Sequence, residues 1–233
     1  MRVGVVILCR FSSSRLYGKI LKKIAEKETL QYICDKINRI SNIDGFCVAT
    51  SVEKEDDAIE DFCRKRNITI FRGNLNNVSK RFYNCARDNN YDAIVRINGD
   101  NIFLDQKLIE NSIELFKTSD IDFLSNVKDR TFPKGMSIEI VERKVYKEAL
   151  DSISNSDYYK EHVMPYFYNN EDKYNVKYIR HGNNDFQNVD LALDTQEDFN
   201  LAEKIIHSFR KPHYEYNCDE IVKIYKKIKS EKL

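Results

Sequence analysis

The sequence predicts an α/β fold in which a mostly parallel sheet is covered by helices on both faces. Through the first half of the chain, short apolar segments alternate with segments whose apolar residues recur at helical spacing. Such alternation is typical of strand–helix–strand units, which bury a parallel sheet between layers of helices. The apolar runs are short and nearly continuous, as in Val3–Leu8, which favours buried strands.

The elements of the first half follow one another in a regular order. Apolar runs predict strands at residues 3–8, 46–50, 68–71 and 92–97. Helical spacing predicts helices at residues 28–40, 56–65, 78–87 and 106–116. In the first of these helices, Leu30, Ile33 and Ile37 recur at the spacing that places them on one face. We therefore expect a helix after each strand of this half.

The second half of the chain is less regular. Apolar runs predict strands at residues 123–126, 136–141, 174–180 and 189–193, with a turn around Pro133 and Gly135. Helical spacing predicts helices at residues 143–150, 157–168, 197–209 and 219–229. With neither a repeat nor a low-complexity linker, the sequence predicts a single domain over residues 1–233 with an inserted arm at about residues 125–170.

The inserted arm contains a cluster of tyrosines at helical spacing. Amphipathic rings of this kind are ordinarily buried, and a contact between two subunits of a homodimer would bury them. Stacking on a ligand is the alternative. The four residues are Tyr158, Tyr159, Tyr166 and Tyr168.

The composition excludes several classes of partner. Lysine and arginine number 38 against 37 aspartate and glutamate, so no net field attracts nucleic acid or a membrane surface. No apolar stretch approaches the length of a membrane span, and Arg10 interrupts the first apolar run before it could act as a signal peptide. The six cysteines are scattered without C-x-x-C pairing, which indicates reduced thiols. We expect a cytoplasmic protein.

The connection after the first strand, residues 9–19, is the most informative part of the sequence. In an open α/β sheet, ligands bind at the carboxyl ends of the strands. Arginine grips phosphate oxygens with two hydrogen bonds, lysine acts as a point charge, and serine hydroxyls complete an anion cradle. The connection holds Arg10, Arg15, Lys19, Ser12, Ser13, Ser14 and Gly18.

The ligand that best matches this connection is a nucleoside triphosphate, which carries about four negative charges. The loop is not a Walker P-loop and not a dinucleotide-binding loop, since G-x-x-x-x-G-K-[ST] and G-x-G-x-x-G are both absent. A solvated basic loop without a ligand is the alternative interpretation.

Two aspartates each follow a predicted strand. Asp100 comes after Asn98 and Gly99 at the end of the fourth strand, and Asp194 ends the last predicted strand. A carboxylate beside a triphosphate repels it unless a hard cation lies between them, and Mg²⁺ is commonly held by one or two carboxylates together with substrate phosphates. Asp194 could instead begin the helix that follows it as a cap. Together with the basic loop, the two aspartates favour metal-assisted nucleotidyl transfer.

Residues 9–21, C-R-F-S-S-S-R-L-Y-G-K-I-L, resemble the A-R-x-x-S-x-R-L-P-G-K-x-L signature of the cytidylyltransferases that make CMP-sugar acids. This family includes the 3-deoxy-manno-octulosonate and acylneuraminate cytidylyltransferases, and the likeness is greatest to its spore coat polysaccharide branch. Further similar stretches occur in the family's order, up to about residue 205. They are Val48-Ala49-Thr50-Ser51 with residues 55–59, Phe71-Arg72-Gly73 with Val78 and Arg81, residues 95–100, residues 130–135, Glu161-His162-Val163 with Pro165-Tyr166, and Leu193-Asp194-Thr195 with Asp198.

The resemblance implies a Rossmann-like nucleotide-diphospho-sugar transferase fold and a CTP-dependent enzyme that uses Mg²⁺. It also implies dimerisation through the inserted arm. The implied nucleotide-binding residues are Cys9, Arg10, Ser12, Ser13, Arg15 and Lys19 in the loop, and Ala49, Thr50, Arg72, Arg81 and Asn98 around the nucleotide. The implied catalytic residues are Arg10, Arg15, Lys19 and Asp100. Asp100 is the implied principal metal ligand and Asp194 the second.

The sequence departs from the family's pattern at several positions. Tyr17 stands where the signature has proline. Asn101 and Ile102 stand where the family often has Cys-Pro, and Ser137 stands where aspartate is common. The last two departures lie toward the acceptor, so the acceptor is less constrained by the resemblance than CTP is.

The expected reaction is attack by an oxygen of a small anionic, sugar-derived acceptor on the α-phosphorus of CTP, which expels pyrophosphate. Such a reaction would serve the biosynthesis of surface polysaccharides or glycans. One alternative keeps CTP and changes the acceptor to a phosphate or phosphonate. Another is a nucleotide-binding relative without catalytic activity. His162 would contact an acceptor carboxylate or lie on a helix face without a catalytic part.

Overall fold

The computed structural model describes residues 1–182, 186 and 188–231. The strands in this part of the chain are β1 (Val3–Leu8), β2 (Lys23–Ile24), β3 (Lys27–Glu28), β4 (Gly45–Ser51), β5 (Ile70–Gly73), β6 (Ala93–Asn98), β7 (Phe123–Ser125), β8 (Glu139–Glu142) and β9 (Val176–Tyr178). The α-helices are α1 (Thr29–Ile37), α2 (Asp57–Lys65), α3 (Val78–Asp88), α4 (Gln106–Thr118), α5 (Arg143–Ser154), α6 (Asp157–Glu161), α7 (Pro165–Tyr168), α8 (Gln196–His207) and α9 (Cys218–Ser230).

The main sheet is mostly parallel. Seven of the described strands form it in the order β5-β4-β1-β6-β8-β7-β9, and β2 pairs with β3 in a separate antiparallel hairpin. β1 pairs in parallel with β4 and β6, β4 with β5, and β7 with β9. Of these seven strands, β8 runs antiparallel to its neighbours β6 and β7. The predicted fold class is therefore confirmed.

Helices cover both faces of the sheet because side chains alternate along each strand. From β1, Val5 and Ile7 enter one hydrophobic cluster, which also contains apolar residues of α1, α2, α4, α8 and α9. Val6 and Leu8 enter a second cluster with apolar residues of α3, α5 and α7. β1 is consequently buried along its whole length, which explains its continuous apolar run.

One strand predicted for the second half is wrong. Residues 189–193 form no strand in the described chain, and Asp190 makes only an isolated bridge to Lys134. The N–H of Leu193, in the same segment, donates to the carbonyl oxygen of Asp100 at 3.0 Å. The segment makes backbone hydrogen bonds first to Lys134 and then to Asp100, so it has no continuous ladder of hydrogen bonds to one strand. Its apolar run reflects burial alone.

The helix predicted at residues 157–168 is broken into α6 and α7. α6 ends at Glu161, and α7 begins at Pro165, whose ring nitrogen has no N–H to continue a helical hydrogen-bond pattern. Val163 and Met164 between the two helices are buried in the second cluster. The break turns Glu161 and the following His162 toward the same cavity.

Several other boundaries differ from the prediction. β8 begins at Glu139, three residues later than predicted, because the side chain of Asn126 bonds the backbone of Met136 and Ile138 and takes the place of a strand partner there. β9 is shorter than the strand predicted at residues 174–180. The hairpin β2–β3 was not predicted, since each of its strands has only two residues.

The segment predicted as an arm, residues 125–170, contributes β8 to the main sheet and contributes α5 and α7 to the second hydrophobic cluster. β8 lies inside the sheet between β6 and β7. Tyr166 is buried, and the hydroxyl of Tyr168 donates to Glu139 inside the same subunit. Tyr158, by contrast, is 56% exposed. The homodimer contact therefore remains a prediction, and Tyr158 is the most exposed of the four tyrosines predicted to form it.

Two predictions from composition concern cysteines and membrane spans. All six cysteines are free and buried. Burial raises the pKa of Cys63 and of Cys218 to about 12, because a buried thiolate is poorly solvated. These thiols are therefore protonated at neutral pH. No helix among the described residues combines the length and apolar character needed to cross a membrane.

Gly135 should be intolerant of any side chain. Its φ of +91° is unfavourable for an L-residue, and an added Cβ would lie 2.6 Å from the backbone nitrogen of Ala192. We expect Gly135→Ala to lower the free energy of unfolding by about 2 kcal/mol or more. Urea denaturation measures this change. Gly182→Ala is the matched control, since a Cβ at Gly182 meets nothing within 4 Å; equal stability of the two variants would contradict the prediction.

Candidate active site

A cavity of about 260 Å³ lies at the carboxyl ends of β1 and β6. This is the edge at which an open α/β sheet binds ligands. Its wall combines the loop after β1, the first turn of α3, the end of β6, the end of α6 with the next residue, and one residue from the segment before α8. The charged or polar residues of the wall are Arg10, Ser13, Ser14, Arg15, Lys19, Arg81, Arg96, Asn98, Asp100, Glu161, His162 and Asp194.

The fold brings most of the predicted site residues to this cavity. Cys9 and the loop cations join the two aspartates there, although Asp100 and Asp194 are far apart in sequence. Ser12, Ala49, Thr50 and Arg72 do not line it. Ala49 and Thr50 are fully buried in β4.

Arg72 is held by its own neighbours on the far side of β4. Its guanidinium forms ion pairs with Asp57 at 2.7 Å and with Glu60 at 2.5 Å. It also donates to the carbonyl oxygens of Ser51 and Glu53, both at 2.8 Å. These contacts brace the end of β4, and a direct contact between Arg72 and a nucleotide remains a prediction.

The loop after β1 closes through Gly18 and Phe11. The N–H of Gly18 donates to the carbonyl oxygen of Phe11 at 3.0 Å, and Gly18 adopts a φ of +65° that favours glycine. Tyr17, in the position where the resembling signature has proline, packs edge-to-face on the Phe11 ring at 5.2 Å between centroids. The aromatic contact supplies a constraint on the loop that a proline would otherwise supply.

Asp56 anchors this loop to the end of β4. Its Oδ1 accepts a hydrogen bond from the N–H of Phe11 at 2.7 Å, and its Oδ2 accepts from the Thr50 hydroxyl and the Ser51 N–H, both at 2.8 Å. Burial alone would raise the pKa of Asp56, but the hydrogen bonds from Ser51, Phe11 and Thr50 hold it below its ordinary value. No role for Asp56 was predicted from the sequence, because its partner Phe11 lies 45 residues away.

Asp194 is the anion that faces the loop cations. Its carboxylate accepts a hydrogen bond from Lys19 Nζ at 2.9 Å and pairs with Arg15 at 2.9 Å and with Lys134 at 3.5 Å. Burial alone would raise the pKa of Asp194, but Lys19, Arg15 and Lys134 together lower it. Asp194 is therefore ionised at neutral pH. The sequence did not assign Lys134 to the site, since it stands 60 residues before Asp194.

The pKa of Asp100 is shifted in the opposite direction. Burial raises its pKa and the nearby charge of Asp194 raises it further, while Lys19 and Arg96 oppose the shift. Its Oδ1 is buried without a hydrogen-bond partner among the described residues. An orphaned carboxylate oxygen beside a second carboxylate is the donor set that a hard cation satisfies.

The described residues supply no group of three or more His, Cys, Asp or Glu side chains that could hold a metal ion. A cation between Asp100 and Asp194 would therefore take its remaining ligands from water or from substrate. Mg²⁺ commonly binds in this way, through one or two carboxylates and substrate phosphates.

The fold and this cavity define an α/β nucleotide-binding protein with a cationic loop facing two carboxylates. A model of the cytidylyltransferase family matches residues 4–233, so the chain belongs to the cytidylyltransferase family. The fold is also similar to that of a cytidylyltransferase from Leptospira borgpetersenii serovar Hardjo-bovis, with a TM-score of 0.91 and 30% identity, covering 99% of this chain and 96% of that one.

Two curated relatives are similar over most of the chain. The spore coat polysaccharide biosynthesis protein SpsF of Bacillus subtilis is 27% identical over 202 residues, which cover 83% of this chain and 82% of the relative. The 3-deoxy-manno-octulosonate cytidylyltransferase of Fusobacterium nucleatum is 27% identical over 176 residues, which cover 76% of this chain and 69% of the relative. The predicted resemblance is therefore confirmed.

Replacing Asp56 should destabilise the loop in a pH-dependent way. At pH 7 we expect Asp56→Asn to cost about 1–3 kcal/mol, because an ionised acceptor of several hydrogen bonds is lost. The folded-state pKa of Asp56 is lowered, so its stabilisation is complete above the unfolded-state pKa of about 3.9 and is lost as pH falls through the folded value. Denaturation curves recorded from pH 7 to pH 3 measure the difference.

The control for this prediction is Asp57→Asn. Asp57 is the next residue, but it is exposed and its carboxylate pairs with Arg72 at the surface. An exposed ion pair contributes about 0–1 kcal/mol. A stability difference between wild type and Asp56→Asn that stays constant down to pH 3 would contradict the role given to the Asp56 carboxylate.

Proposed function

We propose that this protein transfers CMP from CTP to a sugar acid and releases pyrophosphate. The observation that carries the proposal is the cavity in which Arg10, Arg15 and Lys19 face Asp100 and Asp194. Membership of the cytidylyltransferase family supports CTP as the nucleotide. Similarity to a 3-deoxy-manno-octulosonate cytidylyltransferase and to a spore coat polysaccharide biosynthesis protein supports a sugar acid acceptor and a role in polysaccharide biosynthesis.

The loop cations would bind the triphosphate by exchanging partners. Arg15 and Lys19 are paired with Asp194. A triphosphate carries about four negative charges, so it competes effectively with a single carboxylate for these cations. Arg15 is the more exposed of the two and would turn toward the phosphates first. The exchange would free Asp194 from part of its ion-pair network.

Mg²⁺ is the proposed cofactor, and Asp100 and Asp194 are the residues that would hold it. The fit rests on the buried Oδ1 of Asp100, which has no partner among the described residues, and on the position of Asp194 in the same wall. When bound, the ion would polarise the α-phosphate and offset its charge.

The remaining chemistry would fall to the cations of the loop. An acceptor oxygen would attack the α-phosphorus in line with the departing pyrophosphate. Arg10, Arg15 and Lys19 would neutralise the charge that accumulates on pyrophosphate as it leaves. Lys19 is the least exposed of these cations, so its charge would be the least screened by water.

We also propose a homodimer and a cytoplasmic location. Tyr158 supports the homodimer, because its ring is exposed. The ring is tilted against that of His162 beside the cavity, with 4.7 Å between their centroids. The fully buried, free cysteines support a reducing compartment. Light scattering on the purified protein measures the oligomeric state.

The experiment that tests the proposed function is a pyrophosphate-release assay. Each of the four nucleoside triphosphates is combined with a panel of sugar acids and with a panel of phosphorylated acceptors, with and without Mg²⁺. We expect release only with CTP, a sugar acid and Mg²⁺ together. Turnover only with phosphorylated acceptors would show that the acceptor is a phosphate compound and not a sugar acid. CTP binding without pyrophosphate release would indicate a non-catalytic nucleotide-binding protein.

Asp100→Asn should separate stability from activity. The variant should unfold at a higher temperature than wild type, with a gain on the order of 1 kcal/mol, because it removes a buried carboxylate whose pKa is raised. Its kcat should fall about a thousandfold while CTP binding is retained. Thermal unfolding, calorimetry and the pyrophosphate assay measure the three quantities.

The control for this variant is Asp190→Asn, which removes an exposed carboxylate paired with Lys134 on the same segment as Asp194. We expect Asp190→Asn to keep kcat within about threefold of wild type, since exposed ion pairs are weak. Near-normal turnover by Asp100→Asn would overturn the assignment of Asp100.

A further inference from the structure

Arg96 lines the cavity without any role in the proposed binding of CTP. It is on β6, two residues before Asn98, and it lines the same cavity as Asp100 and His162. Directly opposite on β8 is Glu139, its cross-strand partner in the antiparallel β6–β8 pair. The two side chains form an ion pair through Arg96 Nη1 and Glu139 Oε2.

Glu139 is itself fixed by neutral hydroxyl groups. It is buried, and the hydroxyl of Tyr168 donates to its Oε1 at 2.6 Å. The Tyr168 oxygen is in turn 2.6 Å from the hydroxyl oxygen of Ser125 on β7. The orientation of Arg96 is therefore set by a chain of contacts that runs through β8, α7 and β7. A side chain held in this way loses little conformational entropy when it binds a ligand.

Arg96 has donors that the Glu139 contact does not use. Its Nε is buried and has no hydrogen-bond partner among the described residues. The guanidinium carries five N–H donors in a planar fork, which matches a carboxylate. The Arg96 side chain is 19% exposed and lines the cavity, so the part of the guanidinium that Glu139 does not engage is available to a ligand while Glu139 holds it in place.

The sheet order indicates which substrate Arg96 faces. The residues implied around the nucleotide include Ala49 within β4 and Arg72 within β5, on one side of β1, and Asn98 at the end of β6. Arg96 and Glu139 lie on β6 and β8, on the other side. The phosphate-binding loop follows β1, between the two sides. An acceptor that attacks the α-phosphorus in line with the leaving pyrophosphate would approach from the side of β6 and β8.

We propose that Arg96 binds the anionic group of the acceptor and determines specificity for an acid over a neutral sugar. Glu139 and Tyr168 are positioning residues for Arg96. The proposal rests on the proposed function, since it names the residue that recognises the acceptor's charge. A site built to bond a charged group discriminates strongly against an analogue without it, because the site's own polar group is then left unpaired.

A purely structural cross-strand ion pair is the competing explanation, because opposite charges facing each other across two strands stabilise a sheet. Exchanging the two charges separates the explanations. The double variant Arg96→Glu with Glu139→Arg retains a cross-strand pair but presents a carboxylate to the cavity. If the ion pair is purely structural, the exchange should restore both stability and acceptor binding. If Arg96 recognises an anion, the exchange should restore stability but not acceptor binding.

The experiment compares wild type, Arg96→Met and the charge-exchange variant, with 3-deoxy-manno-octulosonate as acceptor. We expect Arg96→Met to raise the acceptor KM on the order of 100-fold, which corresponds to the binding free energy of a hydrogen bond to a charged group. The KM for CTP should change less than about threefold. The charge-exchange variant should unfold near the wild-type temperature. Its acceptor KM should be at least as high as that of Arg96→Met. Restoration of the acceptor KM by the exchange would overturn the proposal.

Tyr168→Phe tests the positioning role. It removes the hydroxyl that holds Glu139 and leaves Arg96 in place, so we expect the acceptor KM to rise only several-fold, with kcat unchanged. An unchanged acceptor KM would remove Tyr168 from the positioning chain.

A binding measurement keeps this proposal distinguishable from the proposed function. Calorimetry measures the affinity of 3-deoxy-manno-octulosonate for each protein in the presence of a non-hydrolysable CTP analogue and Mg²⁺. Binding by wild type that Arg96→Met loses supports the role of Arg96 even when no turnover occurs, and the absence of turnover then counts against the proposed function alone. If Arg96→Met binds this acid as tightly as wild type does, or if wild type does not bind it, the role of Arg96 is overturned.

Discussion

The contact on which the candidate site depends is the ion pairing of Asp194 with Lys19 and Arg15. Residues 19 and 194 are 175 positions apart, so the contact forms only when the segment before α8 has reached the end of β1. Without Asp194, the loop cations would repel one another at the cavity. Without the cations, burial would raise the pKa of Asp194. Each side of the site therefore offsets the charge of the other.

The two carboxylates of the cavity show how this balance serves chemistry. Neighbouring cations lower the pKa of Asp194, whereas burial raises the pKa of Asp100. Titratable groups whose environments push their pKa values apart are characteristic of active sites. Asp194 contributes to stability through its pairs, while Asp100 is an unsatisfied group that the fold tolerates. A bound cation would satisfy Asp100 and would draw Asp194 from its lysine and arginine partners.

The sequence predicts what depends on local periodicity and on strand ends. The strand–helix alternation of the first half, the loop from Cys9 and the carboxylates at Asp100 and Asp194 all follow from short-range patterns. Contacts between distant segments carry no such signal. The apolar run at residues 189–193 has the composition of a strand but takes its partners from two segments. Asp56 acquires its role only because β4 folds beside β1.

The proposed roles of the loop cations and of Arg96 assign the two substrates to different parts of the fold. The first half supplies the loop cations and the Asp56 anchor, and this part follows the family signature closely. The second half supplies β8, with Glu139 opposite Arg96. The departures at Asn101 and Ser137 lie close to that side, and the buried Nδ2 of Asn101 has no partner among the described residues. If Arg96 binds the acceptor as proposed, acceptor choice would vary through contacts on β6 and β8 while the loop proposed to bind the phosphates stays the same.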